Sequence, residues 1–154
     1  MTEIDLLDVL AEESKEALKG FRLRSAKENL IPINIYTQSL PVKEGKGDEN
    51  QYPYVLVCFD EEEIESRDNN LSVSVYFVIG ILDQEKDKQG FRDVLQIANE
   101  LYQHFFRKGI IANVFRPDYP FKIVLQKDDT YPYFFGGIES KWELPVIGEE
   151  EKFI

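Results

Sequence analysis

The clearest regularity along the chain is an alternation. From Leu71 to Leu82, the residues Leu71, Val73, Val75, Phe77, Ile79 and Ile81 fall on one side, and Ser72, Ser74, Tyr76, Val78 and Gly80 on the other. That period of two predicts a β-strand with one buried face, longer than the usual five or six residues or so. A second alternation predicts a strand over Tyr133–Leu144, with Phe134, Gly136, Ile138, Ser140, Trp142 and Leu144 on one face and Glu139, Lys141 and Glu143 on the other. Between the two strands the period changes. Phe91, Val94, Leu95, Ala98, Leu101, Tyr102 and Phe105 recur every three or four residues, predicting a helix over about 88–107 that Gly109 ends.

The N-terminal segment has the helical period as well, through Ile4, Leu7, Leu10 or Ala11, Ser14, Ala17 and Leu18, with Thr2 as N-cap and Gly20 as the stop. The basic cluster Lys19, Arg22, Arg24 and Lys27 follows the end of this helix, where cations meet the negative pole of its dipole. Shorter strands are predicted at 31–37, at Tyr54–Asp60 as a central strand apolar on both faces, at 110–115 as a short edge, and over Phe121–Gln126. The polar stretch 42–53 reads as a mobile loop, the acidic segments after residue 60 and after residue 82 as turns, and 127–130 as the turn before the last strand. Strands and helices do not alternate regularly. The expected fold is therefore α+β, a mainly antiparallel β-sheet with two principal helices packed on one face. One domain spans 1–147, followed by a charged, flexible tail at 148–154.

Composition narrows the function classes. The 154 residues carry 29 acidic and 18 basic side chains, a net charge of -11, and 43% are apolar, enough to fill one domain's interior. A surplus of carboxylates argues against wrapping duplex nucleic acid or lying on an anionic membrane. No apolar run reaches the roughly 18 residues of a membrane span. The start of the chain, acidic and interrupted by charge, does not read as a signal or transit peptide, so an intracellular protein is expected. His104, Cys58 and Trp142 are each the single residue of their type, which leaves no disulfide scaffold and no Cys/His zinc site within one chain. Helical spacing places His104 beside Glu100 and Arg107, as a solvated surface side chain. No cofactor and no metal site is expected, because the acidic runs lack the glycine-punctuated loop that folds oxygen ligands around a cation.

Two constellations carry candidate chemistry. Pro117-Asp118 followed by Glu139-Ser140-Lys141 has the residue types of a metal-dependent nuclease of PD-(D/E)xK type, in which carboxylates hold the metal and the lysine orients the attacking water. Asp118, Glu139 and Lys141 are its candidate site. Any exposed strand face alternating Glu and Lys satisfies the same pattern, and the net charge repels phosphates. The proline-flanked aromatics Tyr52, Tyr54, Tyr119, Phe121, Tyr133 and Phe135 are instead the residue types that dominate protein interfaces.

The N-terminal amphipathic helix, the segment YPYVLVCFDEEEIES, the strand SVSVYFVIGILD, the helix DVLQIANELYQHF and the terminal YPYFFGGIESKWELP together resemble the tail terminator, or tail completion, proteins of long-tailed bacteriophages and prophages. The resemblance covers about residues 4–147, and a related head-closure or neck protein shares the same order of elements. It implies a structural role in virion assembly. A ring of identical subunits, typically a hexamer, would cap the tail tube, end its polymerisation and present a surface to the head-tail connector, with DNA passing through the ring. It also implies a location in the virion neck, and in the host cytoplasm during assembly.

Overall fold

In chain order the elements are α1 (Glu3–Ala17), β1 (Asn34–Thr37), β2 (Tyr54–Glu63), β3 (Leu71–Leu82), α2 (Phe91–Lys108), β4 (Arg116–Leu125) and β5 (Tyr133–Leu144). The structure, a computed structural model, describes residues 2–21, 23, 32–42, 51–64 and 71–144. Most of the polar loop (43–50), the basic residues Arg22, Arg24 and Lys27, the turn at 65–70, the domain boundary at 147 and the charged tail lie outside the described residues.

The five strands form one sheet in the order β1-β2-β3-β5-β4. β3 is central and antiparallel to both neighbours, pairing with β5 from Leu71↔Leu144 to Leu82↔Tyr133. The length of these two strands follows from their unbroken alternation, and each inward residue of one meets an inward residue of the other, such as Phe77 opposite Ile138. β4 is antiparallel to β5, and β1 is parallel to β2. The α+β class with a mainly antiparallel sheet is thus observed.

Both helices lie on the face formed by Val73, Val75, Phe77, Ile79 and Ile81 of β3, all buried in one core cluster with Leu6 and Leu10 of α1 and Val94, Ile97, Leu101 and Phe105 of α2. α1 covers β1 and β2, while α2 covers β3, β5 and β4. Trp142 is fully buried among them, its ring edge-on to Phe105 at 5.2 Å. Its indole N–H donates to Ser140 Oγ (3.0 Å), and that hydroxyl donates to the Val75 carbonyl (2.7 Å). The one polar side chain on the inner stripe of β5 therefore satisfies both the indole and a strand carbonyl.

Several elements differ from expectation. Thr2 caps α1 as expected, and its hydroxyl and main-chain N–H form a reciprocal capping box with Asp5. The buried stripe is nevertheless Leu6, Leu10, Ala11 and Ser14, and Ile4 is exposed. The row Leu6, Leu10, Ser14 is straight at four-residue spacing, and Ser14 is tolerated within it because its hydroxyl donates to the Leu10 carbonyl at 2.7 Å. On α2, Ile97 is buried where Leu95 had been expected, and Leu95 is exposed. Gly109 ends α2 at φ 76°, its N–H donating to the Phe105 carbonyl.

The run Glu61–Glu63, expected as part of a turn, continues β2. A bulge between Phe59 and Glu61 reverses the parity of the strand, so that Glu62, opposite Val73, falls on the helix face. Burial, and then the charge of Glu3, push the Glu62 carboxyl above its ordinary range. Residues 110–115 do not form a strand. Ile111 and Phe115 exchange N–H···O bonds of 2.7 and 2.9 Å across a turn in which Ala112 and Asn113 have φ of 53° and 62°. Lastly, β4 begins at Arg116 and runs through Pro117 and Pro120, which an edge strand tolerates because one side of its backbone has no ladder to lose.

Candidate functional site on the open sheet face

The face of the sheet turned away from the helices divides into an aromatic end and a charged end. At the aromatic end Tyr52 is the hub. Its ring centroid lies 5.0 Å from that of Tyr54, 5.1 Å from Tyr133 and 6.2 Å from Phe135, and Tyr133 stacks on Phe135. Gly80 makes room for the cluster: a Cβ there would collide with the Tyr54 ring and come within 2.9 Å of Tyr52. The segment leading into β2 is fixed from both sides. Gln51 Nε2 donates to the Pro41 carbonyl (2.8 Å), Asn34 Nδ2 donates to the Gln51 carbonyl (3.1 Å), and the Asn34 N–H donates to the Pro53 carbonyl (2.9 Å).

Four of the six aromatics expected at an interface are therefore assembled in one place. Tyr54, however, is only 4% exposed, so it supports Tyr52 from beneath and offers no surface of its own. Tyr119 and Phe121 belong to a second group at the β4 edge on the helix side. Phe121 lies 5.6 Å from Tyr102 and 5.0 Å from Phe106, and Tyr119 lies 5.2 Å from Phe106. Tyr102 and Phe106 face each other one helical turn apart at 4.9 Å. Phe106 was missing from the expected stripe because it lies at the flank of α2, against Tyr119 and Phe121 of β4. Tyr119 is 68% exposed.

The charged end is a groove of about 230 Å³ lined by Asp60, Glu61, Tyr76, Lys122, Glu139 and Lys141, among others. Lys122 Nζ stands 3.9 Å from Glu139 Oε2. The charge of Asp60, and then its hydrogen bond, raise the Tyr76 hydroxyl above its ordinary pKa, because a phenolate there would face carboxylates. Of the nuclease constellation, Glu139 and Lys141 line this groove, and Asp118 stands opposite Lys141 in the β4–β5 register. The Asp118 carboxylate accepts the N–H of Tyr119 at 2.8 Å. Among the described residues, no three His, Cys, Asp or Glu side chains converge in a way that would hold a metal ion.

His104 is placed differently from the expected solvated side chain beside Glu100. Its Nε2 is 3.1 Å from Glu13 Oε1 of α1, and the two side chains are only 16% and 14% exposed. Lys108 also reaches Glu13 Oε1, at 2.6 Å. Burial works against the Glu13 charge, but the hydrogen bonds from Lys108 and His104 outweigh it and hold the carboxyl below its ordinary range. This cluster joins the two helices. Sequence spacing within α2 could not show it, because the partner lies 91 residues away.

No helix among the described residues is long and apolar enough to cross a membrane. Compared with known proteins, the chain matches no family model and no curated sequence.

Proposed function

We propose that the protein is a structural subunit of a bacteriophage or prophage tail, a tail terminator that forms a ring of identical copies, caps the tail tube and meets the head-tail connector. The observation that carries this reading is β4. It is exposed along nearly its whole length, it has no strand on its outer side among the described residues, and it ends in three consecutive aliphatic residues, Ile123, Val124 and Leu125, exposed by 38, 37 and 37%. An open apolar edge of that kind is an aggregation hazard in a monomer and an asset in a subunit that is to be covered by a neighbour. Tyr52, Tyr133 and Phe135 give the open face an aromatic platform for a second partner, the tube or the connector. The acidic groups along that face suit a passage for DNA, since they repel phosphates and prevent adhesion.

The test is to mix the purified protein with its tail-tube subunit and follow tube length by negative-stain microscopy, with native mass spectrometry of the protein alone and on the tube. Rings of one stoichiometry at tube ends, and tubes that stop growing, are expected. The groove holding Glu139 and Lys141 supplies the opposing outcome. Magnesium-dependent cleavage of DNA that is lost in Glu139→Ala, without any effect on tube growth, would replace the structural role with a nuclease.

A further inference from the structure

The sheet has two edges, and their backbones are complementary. At β4 the Gln126 N–H donates to the Phe135 carbonyl at 3.0 Å. By the alternation of an antiparallel ladder, the N–H and C=O groups of Ile123 and Leu125 point away from β5. The first half of the strand is blunted as natural edges are, by Pro117, by Pro120 and by a bulge that sets Tyr119, Pro120 and Phe121 against the single residue Ser140. Among the described residues, the stretch 123–125 is the part of this edge left open.

At the opposite edge, the N–H groups of Asn34 and Gln38 donate to the Pro53 and Val57 carbonyls. The N–H groups of Ile35 and Thr37 therefore point outward from β1. Beside that edge runs a groove of about 460 Å³ between α1 and β1, lined by Asp8, Glu12 and Lys15 from the helix and by Ile35 and Thr37 from the strand. The open segments are of similar length, with three residues on β4 and four on β1.

We infer that successive copies of this chain join by sheet continuation, with the open end of β4 in one copy pairing with β1 of the next. Strand direction favours this occupant. β1 and β2 run parallel, β3 opposes them, β5 opposes β3 and β4 opposes β5. A second copy held in the same orientation thus brings β1 antiparallel to β4, with the helices of both copies on one side of a continuous sheet. In that arrangement the Tyr102, Phe106, Tyr119 and Phe121 group of one copy faces the α1–β1 groove of the next. The side-chain faces agree with this pairing: Ile123 and Leu125 stand opposite Ile138 and Gly136 on the helix face of β5, and Ile35 and Thr37 stand opposite Val55 and Val57 on the helix face of β2. Because the contact joins two different edges it is heterologous, and it closes into a ring only if the rotation between copies closes.

This inference rests on the ring-forming role proposed above and specifies the contact that would make the ring. The test is hydrogen exchange with site resolution on the wild-type protein, free and assembled, together with Ile123→Pro and Leu125→Pro. Each proline removes an outward N–H while leaving the β4–β5 ladder intact, and circular dichroism checks that both variants fold. Assembly should protect Ile123, Leu125, Ile35 and Thr37 together, and each proline should raise the concentration needed for assembly by about tenfold or more. A protein that assembles with these amides unprotected, and whose proline variants assemble normally, overturns the edge contact and leaves the ring. Dimers protected at β4 alone overturn the head-to-tail pairing. A protein that stays monomeric at all concentrations and on the tube overturns both.

Discussion

On the helix side of the sheet, β3 buries five consecutive inward residues from Val73 to Ile81, whereas on its other side the same strand shows half-buried Ser72 and Ser74 and an exposed Tyr76. The covered face is held by apolar area, supplemented by a few fully satisfied polar groups such as Ser140 and the Trp142 indole. The open face is held by aromatic pairs over a glycine and by charges that remain in water. One strand set therefore has two unlike faces, one that carries the core and one that carries recognition on the function proposed above. If the contrast is real, substitutions should separate stability from assembly according to the face they touch.

The largest effect is expected on the covered face. Trp142→Ala removes the largest buried side chain and the indole N–H that Ser140 Oγ accepts, so equilibrium unfolding in urea should show a loss of about 3–5 kcal/mol. A loss below about 1 kcal/mol would mean that this face does not carry the fold. Next comes Gly80→Val on the open face. It forces the Tyr54 and Tyr52 rings aside, and should cost about 1–3 kcal/mol while weakening any partner that docks on Tyr52, Tyr133 and Phe135. Phe135→Ala sharpens the comparison, since its ring is half-buried at the rim of the cluster. It should reduce partner capture in a pull-down with the tail-tube protein far more than it lowers the unfolding midpoint.

The elements that could be read from the sequence are those whose pattern is local. β3 and β5 were legible to the residue because the period of two runs unbroken through both. The core and end of α2 were legible from Ala98, Leu101 and Phe105 and from the Gly109 stop. What the pattern missed depends on distant partners. The parallel placement of β1 is decided by β2, and the extension of β4 through two prolines is decided by its position at an edge. The continuation of β2 through Glu61–Glu63 is decided by the bulge between Phe59 and Glu61. Of the candidate site, the residue types were legible and their grouping was not. Tyr52 meets Tyr133 across 81 positions, and nothing in the spacing separates that group from Tyr119 and Phe121.

The link between the helices gives a smaller effect with a characteristic pH dependence. Glu13→Gln keeps the shape of the side chain but removes the charge that His104 and Lys108 share, and should cost about 1 kcal/mol at neutral pH. The sign follows from the direction of the shift. The folded carboxyl lies below its ordinary range, so its contribution is present above that range and fades as pH falls through the depressed value. Unfolding curves from pH 7 to 3 should converge for wild type and Glu13→Gln at the acid end, and curves that stay parallel would refute the role given to this carboxylate.

The smallest effect on stability belongs to the edge. Lys122 is 67% exposed, and its nearest carboxylate partner, Glu139, is 3.9 Å away across the open face. In an exposed pair at that distance, the attraction is largely cancelled by solvation and by the entropy of holding both side chains. Lys122→Ala should therefore leave the thermal midpoint within about 2 °C of wild type. The lysine nevertheless stands next to the open segment of β4, on the face turned away from the helices, where it lines the groove with Asp60, Glu61 and Glu139. A copy that pairs with Ile123 and Leu125 places Asp8 and Glu12 on the other side of the sheet, so assembly followed by light scattering should change far less in Lys122→Ala than in Ile123→Pro. If Lys122→Ala lowers the midpoint markedly, the edge is a structural part of the fold, and the division of labour between the two faces does not extend to it.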